Sequence, residues 1–476
     1  MKKSFWLAVV LGWVFVYHIN AQEKWTLQQC MDYARERNFQ IQTAGLDEQK
    51  SLYDFKQASY QRLPDLNAGG RANWNYGLTQ NLTTGVLEHQ TLFGSSFFAS
   101  LSWPVFQGFL LQNQIKTAKK GLELSGLAVE KTIQQVEMQV ATGYLEILMA
   151  YEQLKAAESQ WRASVQQLEK TKELIKAGSL PSGDLKDMEA QAANDYLQFI
   201  RAEQNYKLRK LNLALLLQLK DPKQFDVDKN LAHFPVDESL LMKSADVLAD
   251  SKWSGQIDER LSQARSDLAL YQMKSARSGF FPSVSFFSSW NSRYVDRNSV
   301  AGYEPDPDNP FRVIGITEIS NERVLAPNFR PVLGPPDPFF TQIQDNQGFS
   351  FGFQLNIPVF NKFRTRLQVQ KAKVDYEKSL LNRETEYNNF RNTIFKLHSD
   401  AVSAKEKWMA AQKNAEAALK AYQYALEKFK AGVLTSYDLE NFKSRKVNAE
   451  SQEIQAKYEY LFKLKLLELQ LKNNFR

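Results

Sequence analysis

The chain has one cysteine and four histidines in 476 residues. A single Cys30 excludes an internal disulfide. Its context, "LQQC", does not match a lipoprotein cleavage box, so it reads as a buried helix residue. The histidines, His18, His89, His233 and His398, are scattered and show no metal-ligand spacing. No nucleophile–base pairing and no phosphate loop can be read. Carboxylates are plentiful but interspersed with lysines, the pattern of a solvated face. The sequence therefore carries no enzyme signal, no cofactor site and no metal site.

Long apolar runs are also missing. A spanning helix needs roughly 20 apolar residues. The longest run, Phe5 to Val16 in "MKKSFWLAVVLGWVFVYHINAQ", is shorter, follows two lysines and precedes Ala21. It reads as a signal peptide over 1–21, with the mature chain starting near Gln22. The mature chain is then either soluble or crosses a membrane as strands. The net charge of +7 is spread with mixed signs, and no basic cluster is interleaved with aromatics, so nucleic acid is not an expected partner.

Fifteen prolines avoid two long stretches, 105–180 and 359–476. Proline is the main helix breaker, so these stretches predict long helices. Ile133, Val136, Val140, Tyr144, Ile147, Tyr151 and Leu154 recur every three or four residues and form one continuous helix face. Thr26 with Gln29 offers a capping box for a first helix over 25–60.

An internal repeat organises the rest. Pro104-Val105-Phe106 recurs as Pro358-Val359-Phe360, an offset of 254 residues. The same offset aligns "QIKTAKK" (114–120) with "QVQKAKV" (368–374), and "KAGSLPSGDL" (176–185) with "KAGVLTSYDL" (430–439). Upstream, "LPDLNAGGRANWNY" (63–76) matches "FPSVSFFSSWNSRY" (281–294) at an offset of 218. The second copy must then hold about 36 extra residues between its two strands, within the Pro-rich stretch "EPDPDNPF…LAPNFRPVLGPPDPFF", which reads as a long loop. The first repeat covers 22–219, with strands near 66–76 and 97–103, a long helix 107–177 and a helix 183–219. An equatorial linker follows over 220–253. The second repeat, 254–476, holds strands near 283–291 and 348–357, a long helix 361–431 and a helix 437–472. Each long helix would span roughly 105 Å.

The strands alternate. Leu66, Ala68, Ala72, Trp74 and Tyr76 oppose Asn67, Arg71, Asn73 and Asn75, and Phe349, Phe351, Phe353 and Leu355 oppose Ser350, Gln354 and Asn356. Period-two alternation with aromatics near the ends is the pattern of a transmembrane β-barrel strand. Four strands cannot close alone, because open edges in hydrocarbon leave backbone groups unpaired at several kcal/mol each. Two chains would give a ring of about eight strands that fills with its own side chains, and three would give about twelve with room for a pore. A homotrimer in outer-membrane lipid is the inference, with Arg71 facing water. Pro104 and Pro358 read as strand–helix junctions, ending the β-ladder and introducing each long helix.

These features together resemble the TolC family of outer-membrane efflux proteins over essentially the whole mature chain. The carriers are the two "PVF" junctions, "RSDLALYQMKSARSGFFPSVSF" (265–286), and the turns "AGSLPSGDL" and "AGVLTSYDL". The resemblance implies a mainly α fold with a transmembrane β part. Duplicated helical hairpins form a periplasmic α-barrel, and four strands per chain complete a 12-stranded β-barrel in a trimer. It implies a passive exit duct for small toxic compounds, working with a periplasmic adaptor (membrane fusion protein) and an inner-membrane transporter. Metal efflux and type I protein secretion are alternative cargoes, and a soluble periplasmic coiled-coil scaffold is the alternative of another class.

By resemblance the helix turns form the adaptor-docking tip: Gly178, Leu180 and Ser182 in one, Gly432, Leu434, Thr435 and Ser436 in the other. The glycines read from the residues alone as helix C-caps. Asp438, with Asp184 in the matching place, would ring the periplasmic aperture. Both also read as favourable charge at a helix start. Asn441 and Leu434 depart from the family prototype, which has an aspartate and an arginine there.

Overall fold

The computed structural model describes residues 24–80, 87–178, 182–229 and 236–472. The signal-peptide reading, Leu180 and part of the linker lie outside them, as do the side chains of Asp184 and Ser436. The chain divides into two compact units. One comprises Met1–Leu52, Lys120–Asp267 and Glu377–Arg476, the other Tyr53–Lys119 and Leu268–Tyr376.

Helices dominate. They are α1 (Leu27–Arg37), α2 (Phe39–Tyr60), α3 (Leu110–Lys176), α4 (Gly183–Leu216), α5 (Ala245–Trp253), α6 (Ile257–Arg277), α7 (Phe339–Asp345), α8 (Arg364–Lys430) and α9 (Ser436–Leu471). The helices α3 and α8 each run 67 residues, and both their starts and their ends are separated by the 254 residues of the sequence repeat. The expected single helix over 25–60 is two. Asn38 takes an extended backbone, its side chain accepts from the Gln40 amide at 2.8 Å, and this caps α2 while ending α1. The capping box of Thr26 and Gln29 forms at the start of α1.

In the helical unit, the predicted face of α3 is core. Val136, Val140, Tyr144 and Ile147 are buried with Cys30, Met31, Leu213, Leu217 and Val227. The linker is less irregular than its prolines suggest. Trp25 and Val227 form a parallel bridge, the Tyr144 hydroxyl donates to the Asp228 carbonyl at 2.6 Å, and α5 buries Leu248 and Ala249 against Phe390 and Ile394. Burial would raise the Asp226 carboxyl, but Lys210 at 3.1 Å and Lys229 at 3.2 Å hold it below its ordinary range.

The other unit contains an antiparallel sheet of β1 (Asp65–Gln80), β2 (Leu87–Gln107), β3 (Ser283–Val295) and β8 (Gly348–Asn356), in the order β1-β2-β3-β8. Between β3 and β8 the extra segment is not the expected plain loop. It folds as β4 (Ser299–Pro305) paired with β7 (Phe329–Gly334), and β5 (Phe311–Ile316) paired with β6 (Arg323–Pro327). A two-stranded ribbon has a free edge on each side, so it tolerates the prolines that suggested a loop.

Candidate functional site

Three features of the chain carry the sequence expectations: the two faces of the sheet, the passage from strand to long helix, and the two helix turns.

The sheet register sorts the side chains by face. On one face, Trp74 meets Phe93, Leu66 meets Leu101, and Phe286 meets Phe353 at 5.3 Å between ring centroids. On the other, Arg71 pairs with Ser96, Ser96 with Arg293, and Ser289 with Ser350, their hydroxyls 2.8 Å apart. Arg71 thus stands among polar residues. Two phenylalanines interrupt the polar face, each lying over a glycine. A Cβ on Gly69 would come 2.8 Å from the Phe98 ring, and one on Gly352 would come 3.1 Å from the Phe287 ring. Alternation gives the face of each phenylalanine, but the sequence does not show the glycine across from it.

The apolar face is exposed over large areas. Trp74 is 72% accessible, Tyr76 82%, Phe351 68% and Phe353 70%. Among the described residues, the edges β1 and β8 have no strand beside them. The helix α7 covers one patch of this face, with Phe339 edge-on to Phe97 at 6.0 Å and the Ser292 hydroxyl donating to the Ile343 carbonyl at 2.6 Å.

The strand–helix junctions correct the sequence reading. Pro104 does not end the ladder. It pairs with Ser285 inside β2, and pairing resumes after a bulge at Phe106–Val284 and Gln107–Ser283. The β1 ladder has already stopped at Ser102, so Pro104 has no second neighbour whose hydrogen bond it could deny. Pro358 lies two residues past the end of β8, and neither proline enters a helix. The turn is made further on, by two successive residues of left-handed backbone. They are Gly108 (φ 59°) with Phe109 (φ 66°), and Lys362 (φ 55°) with Phe363 (φ 58°). A non-glycine residue there costs roughly 1–2 kcal/mol. The missed signal was the repeated Phe-x-x-Phe of Phe106/Phe109 and Phe360/Phe363.

The helix turns hold their expected glycines. Gly178 and Gly432 both have φ 74°. The amide of Gly432 donates to the Phe429 carbonyl at 2.9 Å and that of Val433 to the Lys428 carbonyl at 3.0 Å, which closes a Schellman motif. Nothing lies within 4 Å of a Cβ built on either glycine, so neither is crowded by a neighbour among the described residues. Ser182 is exposed and makes no side-chain cap to α4. Thr435 caps α9, accepting from the Asp438 amide at 3.2 Å and donating to its Oδ2 at 2.6 Å. Leu434 is half-buried and Val433 is 74% exposed. Asp184 lies in the first turn of α4.

Among the described residues no group of three His, Cys, Asp or Glu could hold a metal ion, and no helix is long and apolar enough to cross a membrane.

The family model described as outer membrane efflux protein matches residues 31–217 and 260–469. No curated protein matches the chain. Among solved structures, the chain is similar to CusC, with a TM-score of 0.73 at 15% identity over 93% of this chain and 91% of that one. It is also similar to VceC from Vibrio cholerae, with a TM-score of 0.71 at 14% identity over 94% and 97%. The open state of the Neisseria gonorrhoeae MtrE outer membrane channel gives 0.69 at 16% over 94% and 88%. At these identities the likeness is one of fold.

Proposed function

Because the chain belongs to the outer membrane efflux protein family, we propose that three copies form a passive exit duct for small toxic compounds across the bacterial outer membrane. The family is one of efflux proteins and not of enzymes, and its place is the outer membrane.

The observation that carries the trimer is the open sheet. One face is aromatic and exposed, the other is polar, and both edges lack a partner strand among the described residues. Unpaired edges in hydrocarbon cost several kcal/mol per backbone group. About twelve strands close into a ring that leaves a water-filled lumen. The aromatic face then meets lipid, and Arg71 and Arg293 line the lumen. An arginine turned to lipid at mid-depth would cost roughly 2–4 kcal/mol.

The helix turns serve as the docking tip for a periplasmic adaptor, which joins the duct to an inner-membrane transporter. Support comes from the two equivalent glycines, both at φ 74° and uncrowded, and from the exposed Val433 and half-buried Leu434 beside the second. Asp438 brings three carboxylates together at the periplasmic aperture and favours cations there. The membrane reading is tested by conductance. Purified protein in planar bilayers should give ohmic pores without an energy source. A protein that washes off membranes with carbonate and leaves bilayers silent would refute it.

A further inference from the structure

The two offsets of the sequence repeat also hold in the sheet register. Asp65 pairs with Ser102 in the first repeat, and their equivalents, Ser283 and Asn356, pair in the second. Gly69 over Phe98 becomes Phe287 over Gly352, the same pair with its members exchanged. The repeat is therefore geometric, pair by pair. Between the repeats the chain makes one further join, β2 to β3. The next join, from β8 onward, has no strand among the described residues to receive it.

We infer that the internal β2–β3 join is the pattern for the join between copies, so that β8 pairs antiparallel with β1 of the next copy, Ser350 opposite Asn75 and Phe351 opposite Trp74. This rests on the reading of the chain as a third of a barrel and fixes its seam. Ser96 pairs with Arg293, and Phe97 pairs with Ser292. Moving β2 to β8 and β3 to β1 by the repeat offsets gives the two stated pairs.

The transferred register keeps each face intact. Phe349 falls opposite Tyr76 and Phe353 opposite Ala72 on the apolar face, while Gln354 falls opposite Arg71 on the polar one. A slip of one residue would turn the lipid face into the lumen. A slip of two would keep the faces, and only the internal pattern selects against it.

Exposure agrees with a missing neighbour. Val105 is 49% exposed, but its equivalent Val359 is 92% exposed. Phe106 is half-buried, and Phe360 is 72% exposed. The pattern also reaches the helix start. The Lys116 ammonium lies 5.7 Å from the Tyr271 ring centroid, and the equivalents are Gln370 and Tyr53. Tyr53 lines an open cavity of about 900 Å³ with Tyr60, Leu63, Pro64 and Pro104, and α8 of the next copy supplies its missing wall.

The copy is not atom for atom. A Cβ on Gly108 would come 2.6 Å from the Phe281 Cβ, and its equivalent is Lys362, which has a full side chain. The join between copies is therefore wider at this point than the join within the chain.

The test is disulfide formation in the full-length, membrane-inserted protein, read on non-reducing gels. Ser96→Cys with Arg293→Cys is the internal standard, closing within one chain and confirming that the sheet has formed. Asn75→Cys with Ser350→Cys should give covalent dimers and trimers to a similar extent. Arg71→Cys with Ser350→Cys, about 13 Å out of register, should give none. Covalent oligomers from Asn73→Cys with Ser350→Cys in place of the predicted pair would overturn the register and leave the barrel standing. Trimers in detergent with no cross-linking pair would do the same. Monomers in detergent with no covalent oligomer would overturn both.

Discussion

Phe106 and Phe109 meet edge to face, ring centroids 5.3 Å apart at 87°, and hold the chain where strand turns into long helix. Phe360 and Phe363 repeat the contact at 5.5 Å and 88°. Both left-handed turns are thus braced by one aromatic pair each, and such pairs contribute about 0.5–1.5 kcal/mol beyond their burial.

The first turn should tolerate no side chain at Gly108. A Cβ there meets the Phe281 Cβ at 2.6 Å and the Ser278 carbonyl at 2.7 Å, on a backbone that already disfavours one. Gly108→Ala should cost about 2–4 kcal/mol, adding overpacking to left-handed strain. Lys362→Gly, at the equivalent position, should lie within about 1 kcal/mol of the parent, since relieved strain offsets the added freedom of the unfolded chain. Thermal unfolding of both variants checks the asymmetry.

At the tip, Gly432 has the strain without the crowding. Gly432→Ala should cost about 1 kcal/mol and act locally. Hydrogen exchange should quicken at the amides of Gly432 and Val433, while protection around Val140 and Leu213 stays unchanged.

In the proposed duct, the cap at Asp438 and the charge of its carboxylate are separable. Thr435→Ala removes the cap of α9 and should cost about 1 kcal/mol. Asp438→Asn keeps the backbone cap but removes the carboxylate, so it should lower the preference of the pore for cations, read as a reversal potential across a salt gradient.

Glu137 is 1% exposed and is met by the Arg35 guanidinium at Oε1, while its Oε2 finds no partner among the described residues. Burial raises its carboxyl above the usual range, and the Arg35 contact offsets only part of that. Arg35→Ala should cost about 3 kcal/mol, toward the low end because Arg35 is 38% exposed and screened by water. A raised folded-state value means that ionised Glu137 opposes folding. The penalty is full at neutral pH and fades as pH falls through the folded-state value. The melting-temperature gap between Arg35→Ala and the parent should narrow from pH 7.5 to pH 5. A gap that widens on acidification would contradict the assignment.

Cys30 is buried, and burial pushes its thiol up to about 12. It should resist maleimide in the native protein at pH 7.5 and react on unfolding. This also leaves introduced cysteines free of competition.

The repeat, the long helices and the two-faced strands were legible because each rests on periodicity or on proline avoidance, which a sequence displays directly. The face of Trp74 and Arg71 followed from alternation alone. What escaped were features set by neighbours in space. Pro104 looked like the end of a strand, but a proline beside a finished ladder costs nothing. Asn38 breaks the first helix because its side chain can cap the next one, a choice that helix periodicity does not register. The prolines of the insertion suggested a loop because their backbone partners were out of view. At the helix turns, the sequence reading of Gly178 and Gly432 as C-caps agrees with their left-handed backbone, and the pairing of Thr435 with Asp438 emerged only from the geometry.

The most direct measurement is the native mass of the full-length protein extracted from outer membranes in detergent. The account predicts a stable assembly of three chains that conducts when placed in a bilayer. A conducting single chain would contradict it, since four strands with two bare edges would then have sealed a pore by themselves.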